Sequence, residues 1–165
     1  MPLHYNLTME QHKEIEDEKQ LLGLEDLQVG RRFISESYHL DADQISEFAA
    51  RFDPQPFHLD DDLARASLFN GLAASGWHTA AITMRLLVSS SPILGGVIGA
   101  GAEISWPIPT RPGDTLHVET EVIEIRESRS RPDRGIVTVT SKTINQNREV
   151  VQILTSKLVV PKRRA

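Results

Sequence analysis

The segment from Ser75 to Ser90 constrains the fold more than any other part of the chain, because apolar residues surround this helical stretch on nearly all sides. One face carries the larger set, and Ile82 and Leu86 populate the other face. The larger set consists of Trp77, Ala80, Ala81, Met84, Leu87 and Val88. A helix that is apolar all round is buried all round, unlike a helix at a protein surface. We therefore expect a long buried central helix with the rest of the chain packed around it.

The chain after this helix is typical of strands. Four stretches, at about 97–106, 115–127, 134–146 and 149–160, are separated by residues that favour turns. β-Branched residues such as Val118, Thr120 and Val137 favour a half-buried sheet, and short connections make neighbouring strands antiparallel. One twisted antiparallel sheet wrapped around the helix satisfies this order. The sheet covers one side of the helix, so we expect a second copy of the chain on the other side, in a homodimer or higher homo-oligomer.

The chain before the central helix predicts a strand and two helices. Alternation over Arg32–Leu40 predicts the strand. Asp41 followed by Gln44 predicts a capped helix start, Pro54 ends this helix, and a second short helix begins near Asp60. The buried stripe of the first helix is predicted to be Ile45, Phe48, Ala49 and Phe52.

The bulk properties exclude several classes of protein. The 165 residues fit one domain, which we place at residues 24–161, between a polar N-terminal extension (1–23) and a basic C-terminal tail (162–165). A net charge of −5 gives no reason to expect nucleic-acid binding, and the lack of cysteine excludes disulfides and thiolate chemistry. The first residues lack the apolar core of a signal peptide, and no apolar run reaches the roughly 18 residues of a membrane span. We expect a soluble cytoplasmic protein without nucleic-acid or membrane partners.

The residues that suit chemistry lie close together. Asp53 and His58 share a short stretch that Pro54 and Pro56 stiffen. Apolar neighbours such as Phe57 would raise the pKa of the carboxyl and lower the pKa of the imidazole, which brings both groups towards neutrality and suits a general acid–base pair. The alternative is structural: Asp53 caps a turn and His58 is a half-buried, hydrogen-bonded histidine.

Gly76 begins the central helix and has two interpretations. Its N–H belongs to the unsatisfied donors at the positive end of the helix, and the missing Cβ lets a carbonyl oxygen approach the backbone. This arrangement suits an oxyanion hole for a thioester carbonyl. In the other interpretation the glycine is needed only for tight packing where the helix starts.

The combination of Asp53, Pro56, His58 and a glycine-led apolar helix resembles the MaoC-like dehydratases, also called (R)-specific enoyl-CoA hydratases, which have the hotdog fold. Their signature Asp-x-Asn-Pro-x-His is matched here at these three positions. The resemblance covers about residues 25–160. It implies an α+β hotdog fold, in which a twisted antiparallel sheet wraps a long buried helix.

The resemblance also implies a reaction that needs no cofactor. Water adds to the β-carbon of a 2-enoyl-CoA thioester, or leaves the (R)-3-hydroxyacyl-CoA, with Asp53 and His58 as the catalytic dyad and Gly76 as the oxyanion donor. The acyl-CoA thioester would be the partner molecule. Two departures from the family pattern affect the expected substrate and direction: Gln55 replaces the asparagine of the signature, and a bulky Arg51-Phe52 pair precedes the aspartate.

Other residues near the signature are candidates for the pocket or for positioning, namely Gln55, Pro56, Phe57, Trp77 and His78. For His78, packing at the helix start is the favoured interpretation. We expect no metal site, because no histidine or carboxylate spacing matches a known one. Two other functions stay open: a non-catalytic subunit that binds acyl thioesters, and an acyl-CoA thioesterase.

Overall fold

The computed structural model describes residues 21–163, so most of the predicted N-terminal extension and the last two residues of the tail lie outside the described residues. Four α-helices occur there, and a 3₁₀ turn at Leu24–Asp26 precedes them. The helices are α1 (Ala42–Phe52), α2 (Pro56–Leu59), α3 (Asp61–Arg65) and α4 (Gly76–Ser90). The strands are β1 (Arg32–Ile34), β2 (Tyr38–His39), β3 (Ile98–Ser105), β4 (Thr115–Glu127), β5 (Arg134–Ile144) and β6 (Val150–Pro161).

The strands form one antiparallel sheet in the order β1-β4-β5-β6-β3, and β2 pairs with β4 beside this path. The four late strands confirm the sequence prediction to within a few residues at each end. β3 comes directly after α4 but lies at the far edge of the sheet, next to β6. α4 packs against one face of this sheet, where its buried side chains meet those of β4 and β6 in the main core cluster.

The predicted strand over Arg32–Leu40 is wrong as a continuous element, because it divides into β1 and β2. At the break, the Ser35 N–H donates to the Val118 carbonyl at 2.9 Å, and the Ser35 Oγ accepts from the Val118 N–H at 2.8 Å. The side chain thus takes the place of a backbone acceptor, which lets the chain leave the ladder without an unpaired amide.

The start of α1 confirms the predicted capping. The Asp41 carboxylate accepts from the Gln44 N–H at 2.8 Å, and the Gln44 side chain accepts from the Asp41 N–H at 2.9 Å. The predicted buried stripe holds for Ile45 and Ala49, but Phe52 is 65% exposed. Phe48 is half-buried, and Phe52 contacts the Phe48 ring with 5.1 Å between the ring centres.

In the single chain, α4 is buried on one side only, as expected for a helix whose other side needs cover beyond the sheet. Its inner face packs Ile82, Leu86 and Leu87 against the sheet in the main core cluster. The opposite side exposes Trp77 by 61%, Met84 by 46% and Val88 by 57%. With Ala81, these residues recur one turn apart and form what we call the outer stripe of α4. A single sheet covers one side of a helix only, so the outer stripe stays open.

None of the helices within residues 21–163 is long and apolar enough to cross a membrane.

Candidate active site

Asp53 lies at the point where α1 ends. Its N–H closes the last helical turn by donating to the Ala49 carbonyl at 2.9 Å, and Pro54 prevents the helix from continuing. The chain then turns, so that the carboxylate points back towards the start of α4. Local sequence signals therefore decide where this acid lies.

His58 is buried in the short helix α2, which begins at Pro56. Its Nδ1 lies 2.7 Å from the Ala73 carbonyl. A carbonyl oxygen can only accept, so Nδ1 carries the proton, and in the neutral ring Nε2 has the free lone pair. Nε2 faces the Asp53 Oδ2 at 3.5 Å. The structure thus brings the two predicted dyad residues together and fixes the tautomer of the histidine.

Both oxygens of Asp53 have hydrogen-bond donors. The Ser75 hydroxyl donates to Oδ2 at 2.6 Å, and the Gln55 side chain donates to Oδ1 at 2.7 Å. Burial raises the pKa of this carboxyl, but the hydrogen bonds from Ser75 and Gln55 and the nearby His58 outweigh it, and the pKa lies below its usual value. The expectation of an Asp53 pKa raised towards neutrality is therefore wrong, because sequence alone did not reveal these donors.

Gly76 is the first residue of α4, directly after the N-cap Ser75. No acceptor for its N–H occurs among the described residues. A Cβ at this position would lie 2.7 Å from the Trp106 indole, so the glycine is required for close packing. Gly76 is therefore tightly packed against Trp106, and its role as an oxyanion donor stays a prediction.

A cleft of about 240 Å³ lies beside these groups. His58 and Gly76 line it together, and Thr79 and Thr110 add hydroxyls. The remaining wall is apolar and consists of Phe69, Ala74, Trp106, Pro107, Ile108 and Pro109. A mostly apolar cleft with a few convergent polar groups is the usual form of a small-molecule site.

The position of Trp106 depends on a buried polar network that sequence analysis missed. The indole N–H donates to the Gln152 side-chain oxygen at 2.9 Å, and the Gln152 amide donates to the Thr83 hydroxyl at 2.9 Å. Thr83 in turn lies 2.6 Å from the Thr143 hydroxyl. Gln152 is fully buried, so this network fixes the indole against Gly76. The missed signal is a glutamine between the apolar residues Val151 and Ile153 near the start of β6.

The other candidates surround the dyad without all reaching the cleft. Pro56 starts α2, and the Phe57 ring lies edge-on to His58 with 4.6 Å between the ring centres. Trp77 lies on the outer stripe and meets Trp106 edge-to-face at 5.6 Å. Their roles in binding stay predictions.

His78 packs away from this cleft and stacks on Phe48 with the rings 4.4 Å apart. Its Nδ1 is buried and has no hydrogen-bond partner among the described residues. Burial lowers the pKa of this imidazole below its ordinary value of 6.5. The folded protein therefore resists protonation of His78 more than the unfolded chain does. Its free energy of unfolding is fully retained above pH 6.5 and decreases as the pH falls through the lowered pKa.

We expect His78→Phe to weaken the dependence of stability on pH. The wild type should lose more of its free energy of unfolding between pH 8 and pH 5 than the variant, which lacks this unpaired buried imidazole. Urea unfolding followed by circular dichroism at both pH values measures this. His39→Phe, at an exposed position, is the control and should behave like the wild type. Equal losses in the wild type and in His78→Phe would contradict the assignment.

A second cavity, of about 280 Å³, lies between the C-terminal half of α4 and the sheet. Its wall is almost entirely apolar and includes Met84, Leu87, Val122, Val139 and Leu158. From Gly76 to Leu87 the axis of α4 rises about 16 Å. This cavity therefore lies well beyond the dyad along the same helix. Within residues 21–163, no group of three or more histidine or carboxylate side chains could hold a metal ion.

Comparison with known proteins gives a consistent result. The family described as "MaoC like domain" matches residues 26–145. "Uncharacterized protein YdeM" of Bacillus subtilis (strain 168) is 34% identical over 128 residues, which span 76% of this chain and 89% of that protein. The MaoC-like dehydratase from Rhodospirillum rubrum is 63% identical, with a TM-score of 0.86, and the match covers 87% of this chain and 99% of that one. The (R)-hydratase from A. caviae involved in PHA biosynthesis is 28% identical, with a TM-score of 0.63 over 83% of this chain and 98% of that one. These matches confirm the predicted α+β hotdog fold.

Proposed function

Because the chain belongs to the MaoC-like domain family, we propose that it is a hydro-lyase acting on acyl-CoA thioesters without a cofactor. It adds water to a 2-enoyl-CoA or removes water from the (R)-3-hydroxyacyl-CoA. The observation that carries this proposal is the contact between the His58 Nε2 and the Asp53 Oδ2, 3.5 Å apart, next to a cleft that His58 and Gly76 line together.

The tautomer of His58 determines how the site can hold a water molecule. With Nδ1–H donated to Ala73, the neutral Nε2 is an acceptor, and the ionised Asp53 Oδ2 is another acceptor beside it. One water molecule can donate its two hydrogens to these two atoms, which leaves a lone pair on its oxygen directed at a substrate carbon. The dyad therefore both orients the water and receives a proton from it.

The reaction then balances with no external group. The water oxygen bonds to the β-carbon of the enoyl thioester while His58 Nε2 takes a proton, and the electrons of the double bond move to an enolate. The enolate oxygen accepts from the Gly76 N–H at the positive end of α4. His58 returns a proton to the α-carbon, which gives the 3-hydroxyacyl thioester and restores the neutral ring.

Gln55, which replaces the asparagine of the signature, supports retained activity. Its amide reaches the Asp53 Oδ1 at 2.7 Å and leaves Oδ2 to face His58. The longer side chain thus holds the carboxylate in the orientation that the dyad needs. This contact favours an active enzyme over a subunit that only binds acyl thioesters.

The direct test is turnover of crotonyl-CoA and longer 2-enoyl-CoA esters by the wild-type protein. We expect the absorbance of the conjugated enoyl thioester to fall as water adds, with no release of free CoA thiol. Release of thiol without loss of the double bond would identify a thioesterase instead. Tight acyl-CoA binding without turnover at any chain length would identify the non-catalytic alternative.

The apolar cavity beside Leu87 is the proposed site of the acyl chain.

We also propose that the working form is a homodimer in which a second copy covers the outer stripe of α4. The stripe is apolar and exposed, and β3 next to it forms a sheet edge whose residues are mostly exposed. A two-fold axis can place this surface of one copy against the same surface of a second copy. The two strand edges then face each other, and so do the two apolar helix faces. The cytoplasmic location stays a prediction from the sequence.

Val88→Glu should convert this dimer to a monomer, because it places a carboxylate within the apolar contact. Sedimentation or light scattering gives the mass. Leu63→Glu is the matched control, since Leu63 on α3 is 57% exposed, as is Val88. A monomeric wild type, or a dimer that survives Val88→Glu and is broken by Leu63→Glu, would exclude this interface.

A further inference from the structure

We propose that Ser75 is a positioning residue for the Asp53 carboxylate, which it holds in register with His58 through a shielded hydrogen bond. The inference rests on the proposed function for its catalytic meaning, and on the geometry of the site for the contact itself. No part of the sequence signature includes Ser75.

The hydroxyl of Ser75 is fixed from two sides. As the N-cap of α4, its Oγ accepts from the Trp77 N–H at 3.2 Å. Its single proton is therefore directed away from the helix, towards the Asp53 Oδ2 at 2.6 Å. This short contact has the length of an O–H donor bonded to an ionised carboxylate. The Trp77 N–H at the helix start thus polarises the hydroxyl, and the hydroxyl stabilises the anion.

Ser75 and Gln55 both donate a hydrogen bond to the Asp53 carboxylate, but they differ in burial. Ser75 is 1% exposed, whereas Gln55 lies at the surface, where water competes for the same carboxylate oxygen. Ser75 also contacts the oxygen that faces His58, while Gln55 contacts the other oxygen. A hydrogen bond shielded from water is stronger than an exposed one, so Ser75 determines the position of Oδ2.

The backbone around Ser75 is anchored well enough to act as a template. The Ala74 N–H donates to the Thr110 carbonyl at 2.9 Å, and the Thr79 and Thr110 hydroxyls are bonded at 3.0 Å. Within this one segment, the Ala73 carbonyl fixes the tautomer of His58, and Ser75 fixes Asp53. The next residue, Gly76, lines the cleft that contains His58. A single anchored segment therefore places all three groups of the proposed mechanism.

The test compares two substitutions that each remove a helix N-cap and should lower the free energy of unfolding by similar amounts. Ser75→Ala removes a helix cap and the donor to Asp53, while Asp41→Ala removes only the cap of α1. We expect Ser75→Ala to lower kcat for hydration about 10-fold to 100-fold, with KM within about twofold, because Ser75 does not contact the substrate. Asp41→Ala should keep the wild-type kcat at a comparable loss of stability. Equal loss of kcat in both variants would overturn the inference.

A second readout does not depend on turnover. In protein with ¹³C-labelled aspartate, the carboxyl resonance of Asp53 is assigned by its loss in Asp53→Asn and then titrated. We expect its midpoint to move to higher pH in Ser75→Ala and to stay in place in Asp41→Ala. Ser75→Gly replaces Ser75→Ala if the alanine variant does not fold, because glycine is tolerated at N-caps. An unmoved midpoint overturns the inference; a moved midpoint in a protein without hydratase turnover upholds the contact and rejects the proposed function.

Discussion

His58→Ala and Asp53→Asn should each lower kcat/KM for enoyl-CoA hydration by about 10³-fold, within the range attributed to general acid–base catalysis. His58→Ala removes the ring nitrogen Nε2, which is the proposed acceptor of the proton from water. Asp53→Asn keeps the size of the side chain but replaces an acceptor oxygen and its charge with an amide. The loss of absorbance of crotonyl-CoA measures both effects, with circular dichroism to establish that each variant is folded.

The chain contains a matched control for this experiment. His117 Nε2 and Glu119 Oε1 are also 3.5 Å apart, but they lie on β4 and are far more exposed than the dyad. His117→Ala and Glu119→Gln should keep wild-type kcat/KM, because neither residue lines the cleft that contains His58 and Gly76. Hydration that survives in both His58→Ala and Asp53→Asn would reject the dyad.

Gly76→Ala should be the second most damaging single change. The added Cβ meets the Trp106 ring at 2.7–2.9 Å, and the ring cannot move freely because Gln152 holds its N–H. Overpacking of this kind costs typically about 1–3 kcal/mol of stability. We also expect kcat/KM to fall by at least about tenfold, because the displaced indole forms part of the cleft wall. Thermal unfolding and the hydration assay measure the two effects.

A double variant separates the packing role of Gly76 from its role as a donor. Alanine keeps the backbone N–H, so Gly76→Ala combined with Trp106→Ala retains the proposed oxyanion donor and removes the clash. If the effects of Gly76→Ala and Trp106→Ala were additive, their sum would predict an unfolding temperature for the double variant. We expect the measured unfolding temperature to be higher than this. Strictly additive losses would show that the two residues do not compete for space.

The sequence predicted those features that depend on neighbours in the chain. Asp41 and Gln44 are three residues apart, and both capping hydrogen bonds form. Asp53 and His58 are five residues apart with prolines between them, so few conformations were open to that stretch. Contacts of this range follow from local geometry.

The features that the sequence could not predict join distant parts of the chain. Ser75 meets Asp53 across 22 residues, and Trp106 meets Gln152 across 46 residues. Neither contact leaves a periodic pattern, because a single side chain makes each one. Hydropathy shows that a helix face avoids water, but not which partner covers it. The sequence therefore predicted only that one side of the central helix needs cover beyond the sheet, and the residues of the outer stripe came from the structure.

The edge-to-face contact between Trp77 and Trp106 also gives the protein a built-in optical signal. These two residues are the only tryptophans in the chain, and their rings are 5.6 Å apart at the start of α4. Trp106 lines the cleft beside His58, and Trp77 lies on the proposed contact between copies. All of the indole fluorescence of the protein therefore originates where the candidate site meets the proposed dimer surface. Quenching by an added thioester analogue and a spectral shift upon dilution can accordingly be followed in the unlabelled protein.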